Sequence, residues 1–364
     1  MSLARISEAG TSIWLDDLSR ERMIRGGKST FLPDLIENDH VVGVTTNPAI
    51  FSAAISGSEL YNDEIKSLSA LGMSADEIIT ELTTADVRNA CDIFAPIFER
   101  SGGIDGRVSI EVDPRLARDT LGTIAQAREL WKRVDRPNLL IKVPATKEGI
   151  PAVRTLISEG ISVNVTIIFS VSRYEEVLNA FIAGLEDRIN THLPVTGIHS
   201  VASFFVSRVD TEIDSRLQDG ANERLRGRAA LANARLAYRS FADVLASARW
   251  SNLAGHGAAI QRPLWASTGV KDPSYDPTMY VVDLIAPQTV NTMPESTLNA
   301  VKTSGRFEGN TIIGRYEESD RVLTDLASIG IHLEEVAEKL EREGIEKFIK
   351  PWLDLIGAVE GKRK

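Results

Sequence analysis

Residues Asn138–Ile150 read NLLIKVPATKEGI. Leu139, Leu140, Ile141 and Val143 surround one lysine, Lys142, and Pro144 closes the run. A short aliphatic run of this kind reads as a buried strand, here with a charge near its C-terminal end. Lysine is seldom buried without a partner, so Lys142 needs a reason to be there. Two reasons are open. The stem can snorkel so that the amine reaches solvent or a carboxylate. Alternatively, an apolar interior or nearby positive charge can favour the neutral amine, which then attacks a carbonyl to form a Schiff base.

Similar runs occur on both sides of this one. Before it come Ser12–Asp16 (SIWLD), Val41–Thr46 (VVGVTT) and Arg107–Val112 (RVSIEV). After it come Ser162–Phe169 (SVNVTIIF), Ile198–Phe205 (IHSVASFF), Pro263–Thr268 (PLWAST) and Gln288–Met293 (QTVNTM). Helical patterns such as Ser74–Arg100, Pro114–Val134, Ile150–Glu159 and Ser172–Arg188 separate most of them. Eight strands alternating with helices predict an α/β fold, a (β/α)8 TIM barrel. An open doubly wound sheet is the alternative, but no Gly-rich nucleotide turn follows the first strand.

The length of 364 residues exceeds the ~250 typical of such a barrel. Extra helices are expected after strand 2, in Ser56–Gly106, and after strand 6, in Val209–Gln261, with a long helix around Ala221–Ala248. A C-terminal helical tail is expected from about residue 318, with Val336, Leu340 and Ile345 at helical spacing in Leu333–Gly361. Gly305–Gly314 reads as the loop leading into it. No repeat or linker divides the chain, so a single barrel domain over 1–364 is the expectation.

The net charge of −10 argues against nucleic acid or a membrane surface as the main partner, while a local basic cluster can still hold an anionic metabolite. One cysteine, Cys91, fits a reducing compartment. The N-terminal MSLARISEAGTSIWLDD lacks the apolar centre of a signal peptide. A cytoplasmic protein, monomeric or homodimeric, is expected.

Strand parity sorts the polar residues. Side chains two apart share a face, so Ser109 and Glu111 oppose Val108, Ile110 and Val112. Asn164 and Thr166 likewise oppose Val163, Val165 and Ile167, Lys142 opposes Ile141 and Val143, and Asn291 opposes Val290. With the aliphatic side on the helices, these polar groups face the barrel axis. Asp16, Asn47, Glu111, Lys142, Thr166, Ser203 and Ser267 also lie near the ends of separate strands, where barrel enzymes place their chemistry.

An imine-forming lysine needs groups that handle water loss and move a hydroxyl proton. Glu111 and Asp16 are the carboxylates placed for this. Thr166 and Ser203 can orient a water or hydroxyl, and Asn47, Asn164 and Asn291 suit a polyol. Arg208, and Lys271 after the Ser267–Val270 turn, make a candidate phosphate site. Taken singly, each cation reads as a solvated charge. The five histidines show no ligand spacing, so no metal is implied.

Six segments in order resemble the transaldolase family over nearly the whole chain. They are TTNPAIF (Thr45–Phe51), SIEVDPRLA (Ser109–Ala117), LIKVPATKEGI (Leu140–Ile150), NVTIIFS (Asn164–Ser170), SFFVSRVD (Ser203–Asp210) and WASTGVKDP (Trp265–Pro273). The length and the VNTMP segment (Val290–Pro294) look like the longer bacterial form. The resemblance implies transfer of a dihydroxyacetone unit from sedoheptulose 7-phosphate to glyceraldehyde 3-phosphate, a step of the pentose phosphate pathway, with no metal or organic cofactor. Lys142 would form the imine, Asp16 would serve carbon–carbon cleavage, and Glu111 with Thr166 would hold a water. Asn47, Asn164 and Ser203 would bind the dihydroxyacetone part, and Arg208 and Ser267 the phosphate. Shorter relatives carry an arginine two residues after that serine; here Gly269 stands there, and Lys271 is the candidate replacement. A fructose 6-phosphate aldolase of the same family is the nearest rival. Such relatives tend to have glutamine at the position of Glu111 and tyrosine at that of Phe205. A sugar-phosphate binding barrel without activity is a second rival.

Overall fold

The computed structural model describes residues 2–217 and 222–363. Eight parallel strands pair in chain order and close into a barrel. They are β1 (Thr11–Leu15), β2 (Val41–Val44), β3 (Arg107–Glu111), β4 (Leu139–Pro144), β5 (Val163–Ile168), β6 (Ser200–Phe205), β7 (Gln261–Ala266) and β8 (Thr289–Met293). Every strand lies within two residues of its sequence-expected bounds. Their aliphatic content is explained by burial on both faces, since all six residues of β4, β5, β6 and β7 are buried.

Outside the barrel wall, Phe204 meets Trp265 and Tyr174 edge-on, with ring centroids 6.1 Å apart in both pairs. The Trp265 indole donates to the Leu284 carbonyl at 3.0 Å. On the other face the strands fill the barrel. The Trp14 ring lies so close to Gly43 that a Cβ there would stand 2.6 Å from it, so β2 needs glycine at this point. Near the N-terminal ends of the strands, Arg262 binds Ser12 and Asp105, each at 2.9 Å. The opposite end is left for the chemistry.

The extra helices fall where the sequence places them. After β2 come Pro48–Gly57, Asn62–Ala70 and Ala75–Arg100, the last begun by a capping box of Ser74 and Glu77. After β6 come Ser207–Arg216, Ala229–Leu245 and Ala248–Gly255. The single helix expected over Ala221–Ala248 is therefore shorter and followed by another. Ala221 lies outside the described residues, and the helix begins at Ala229. Its successor starts where the Ser247 hydroxyl accepts from Trp250 N (3.1 Å), a cap that competes with continued helix. The pattern over Pro114–Val134 also divides, because Asp119 caps the helix Thr120–Val134 through Gly122 N (3.0 Å).

The C-terminal tail is two helices, Tyr316–Ser328 and Leu333–Lys362. The second spans the barrel mouth, touching β5, the turn after β3 and helices that follow β2 and β6. Lys339 holds one side through Glu212 (2.8 Å), and Lys362 holds the other through the Ile55 carbonyl (2.8 Å). Gly344, Phe348 and Trp352, four residues apart, share its inward face.

Candidate active site

Glu111 and Lys142 stand in register on β3 and β4, and Lys142 and Asn164 in register on β4 and β5. Parallel neighbours in register put side chains of like parity together at one level. Lys142 Nζ accordingly lies 3.1 Å from Glu111 Oε2, with the two side chains only 5% and 6% exposed. The amine also donates to the Thr46 carbonyl at 3.0 Å. Beside them, Asn164 donates to Ser109 Oγ (3.0 Å) and accepts from Ser203 Oγ (2.7 Å), which fixes its amide orientation. Asp16, just past the end of β1, accepts from Thr45 Oγ1 at 2.7 Å. Thr45 in turn shares a 2.6 Å contact with Thr292 of β8.

Lys142, Ser203, Asp16, Thr45 and Thr292 border a cavity of about 200 Å³ at the C-terminal ends of the strands. Of the residues expected from sequence, Asp16, Asn47, Lys142, Ser203, Phe205, Arg208, Ser267 and Lys271 line it. Asn47 caps the helix Pro48–Gly57 through Ala49 N (3.0 Å) and Ile50 N (3.1 Å), so its oxygen is committed and its amide N–H groups are free to donate. Glu111, Asn164 and Thr166 do not line it, and the Thr166 hydroxyl is buried with no hydrogen-bond partner among the described residues. A larger hollow of about 840 Å³ around Asp214 and Tyr275 shares only Lys271 with this cavity and has none of the strand-end carboxylates, so the smaller one is the candidate site.

Asn291 does not join the cluster. It donates to the Tyr280 carbonyl at 3.0 Å, outside the barrel, and Thr292 takes the inward place. All five residues of β8 are buried, so polarity alone does not say which face is inner. Three contributors escaped the sequence reading. Thr45 and Thr292 sit inside the quoted motifs and were accessible by parity, whereas Phe348 arrives from the distant C-terminal helix.

Charge and burial oppose each other here. Burial raises the Asp16 carboxyl above its ordinary range, with Lys142 and the Thr45 hydroxyl pulling the other way. Burial raises Glu111 too, again opposed by Lys142. Arg208 is drawn below its usual value by desolvation, against the pull of Glu343, Asp16 and Glu111. Its guanidinium lies over the Phe205 ring at 5.4 Å, and Nη1 is buried without a hydrogen-bond partner among the described residues. Ser267 holds a left-handed φ of 55° and shares a 3.0 Å contact with Ser207 Oγ. Strain of this kind persists where surroundings enforce it, as at binding sites. A Cβ on Gly269 would lie 3.8 Å from Lys271 Nζ, so the lysine amine returns over the glycine.

A barrel with a buried lysine, an ion-paired glutamate and a second carboxylate at its mouth has the layout of an enzyme that works through a lysine imine. The family model for transaldolase/fructose-6-phosphate aldolase matches residues 13–359, and the chain belongs to that family. A transaldolase of Mycolicibacterium smegmatis is 55% identical to it, over 99% of this chain and 97% of the relative. One from Acidothermus cellulolyticus is 54% identical over 98% and 95%, and one from Thermobifida fusca 51% identical over 98% and 97%. Among the described residues no helix is long and apolar enough to cross a membrane, and no group of three His, Cys, Asp or Glu side chains is placed to hold a metal ion.

Proposed function

We infer that the protein is a transferase catalysing the transaldolase reaction: a dihydroxyacetone unit moves from sedoheptulose 7-phosphate to glyceraldehyde 3-phosphate, giving erythrose 4-phosphate and fructose 6-phosphate. The observation that carries this reading is the buried Lys142–Glu111 pair, with Asp16 near enough to feel the lysine charge. Lys142 adds to the ketose carbonyl, and loss of water gives the imine. Glu111 and Thr166 supply a carboxyl and an unpartnered hydroxyl suited to hold and move that water. Asp16 takes the proton of the hydroxyl next to the scissile bond; cleavage releases the aldehyde and leaves an enamine on Lys142. An acceptor aldehyde reverses the steps. Ser203, Asn164 and Asn47 are assigned to the dihydroxyacetone hydroxyls, and Arg208, Ser267 and Lys271 to the phosphate. No cofactor is invoked, because the protonated imine is itself the electron sink. The proposal includes a cytoplasmic setting.

Release of dihydroxyacetone, the aldolase outcome in the same family, is the second reading. Glu111 paired to the lysine and the apolar Phe205 ring, its centroid 5.2 Å from that of Phe169, favour transfer. A coupled assay with fructose 6-phosphate and erythrose 4-phosphate separates the two. Formation of sedoheptulose 7-phosphate with little free dihydroxyacetone is expected; its absence would overturn the assignment.

A further inference from the structure

The helix Leu333–Lys362 contributes one side chain to the catalytic cavity, Phe348. Its ring centroid lies 5.6 Å from Lys142 Nζ and 6.0 Å from the Arg208 guanidinium carbon, so the ring stands beside both cations of the site. It is 6% exposed although it lines an open cavity, because the helix is held on both sides of it. One turn earlier, Gly344 lies against Phe169, Ile167 and Arg208. One turn later, Trp352 lines a small hollow together with Glu111 and Asn47. The helix thus presents three successive residues to the mouth, and the middle one covers the lysine.

A phenyl ring neither donates nor accepts a conventional hydrogen bond, so it offers water no place beside Nζ. Its face attracts a cation, and a protonated imine is as much a cation as the ammonium it replaces. The two outcomes part at one step. In transfer, the enamine carbon bonds to the acceptor aldehyde carbon, the aldehyde oxygen takes a proton, and water then hydrolyses the new iminium to free the ketose and the Lys142 amine. In release, the enamine carbon takes a proton instead, water adds to the iminium carbon, the C–N bond breaks, and dihydroxyacetone departs as Lys142 regains its amine. Only release needs a proton on the enamine carbon, and keeping water, which carries that proton, away from the enamine suppresses it.

We propose that Phe348, from the C-terminal helix, is a specificity-determining residue that covers the Lys142 intermediate and biases it towards transfer. The inference rests on the transaldolase reading above. Both products are measured from fructose 6-phosphate with erythrose 4-phosphate present, for wild type, Phe348→Ala, Phe348→Leu and Val359→Ala. Phe348→Ala is expected to raise the ratio of dihydroxyacetone to sedoheptulose 7-phosphate about tenfold. Phe348→Leu, which restores apolar bulk, should bring the ratio back near the wild-type value. Val359→Ala loosens the same helix at a buried site away from the cavity and should leave the ratio unchanged. An unchanged ratio in Phe348→Ala, or an equal rise in Val359→Ala, overturns the proposal. If Phe348→Ala does not fold, a Phe348→Leu ratio as high as that of an open pocket overturns it as well. A wild type that makes no sedoheptulose 7-phosphate refutes the underlying reading, and that is seen before any variant is made.

Discussion

Glu111 Oε2 and Lys142 Nζ lie 3.1 Å apart, on adjacent strands and in register. Removing one partner of a buried pair ordinarily costs roughly 3–5 kcal/mol because the other is left charged. Here burial already raises the Glu111 carboxyl, so without the lysine it can take up a proton. Lys142→Ala should therefore fold, with a loss below that range. Borohydride with a ketose phosphate should label wild type at Lys142 and fail to label the variant. Label found in the variant at another lysine, such as Lys147, would refute the assignment.

Asp16 sits across the cavity on β1's end, bonded to Thr45. Burial raises its carboxyl, which suits a group that must both take and return a proton. Asp16→Asn keeps the shape but cannot shuttle the proton. It should lower kcat by about 10²–10⁴ while borohydride still traps substrate on Lys142. Loss of trapping along with turnover would assign Asp16 to imine formation instead.

Arg208, whose Nη1 has no hydrogen-bond partner among the described residues, and Lys271, folded back over Gly269, should share the substrate phosphate. A hydrogen bond to a charged group is worth about 1.5–3 kcal/mol, so Lys271→Ala should raise KM for fructose 6-phosphate by about ten- to a hundredfold. The kcat should change little, since binding is lost equally from ground and transition states. Unphosphorylated fructose should show no such change. Equal KM values in wild type and variant would remove Lys271 from the site.

The barrel could be read from sequence because each strand is a short aliphatic run bounded by helical pattern, and burial on both faces demands that composition. The inward residues of β3, β4 and β5 followed from alternation because one parity of each carries the polar groups, while Asp16 and Ser203 were picked out by lying near strand ends. In β8 the rule reversed: Val290 and Thr292 take the inner parity, while Asn291 satisfies its amide on the Tyr280 carbonyl. Alternation shows that two faces differ, not which one is inside. Phe348 was out of reach for another reason. An amphipathic stripe shows that a helix is covered on one side but not what covers it.

Asp210 gives the fold its own pH dependence. It is buried, accepting from Tyr280 Oη and Ala230 N at 2.8 Å each, and burial raises its carboxyl from the ordinary 3.8 to about 7. Between those values the folded chain holds a proton that the unfolded chain has lost. Its contribution is fully present below about pH 4, falls as pH rises through about 7, and is flat above. The change is of the order of 4 kcal/mol. Asp210→Asn removes the titration, so the difference in urea-unfolding free energy between wild type and variant should shift against wild type from pH 5 to pH 7. A constant difference over that range would contradict the assignment.

Phe205, a residue 6% exposed, lines the cavity beside the Phe169 ring and with the Arg208 guanidinium over its own ring. Hydrolysis of the final imine is common to both outcomes, whereas release alone begins with a proton on the enamine carbon. The apolar ring of Phe205 offers no donor for that proton. Phe205→Tyr adds a hydroxyl inside the pocket and should raise dihydroxyacetone release relative to transfer. Fructose 6-phosphate is given alone to wild type and variant, and free dihydroxyacetone is assayed against the rate of transfer to added erythrose 4-phosphate. Slow release by wild type and faster release by the variant are expected. Wild-type release as fast as transfer would make the protein an aldolase.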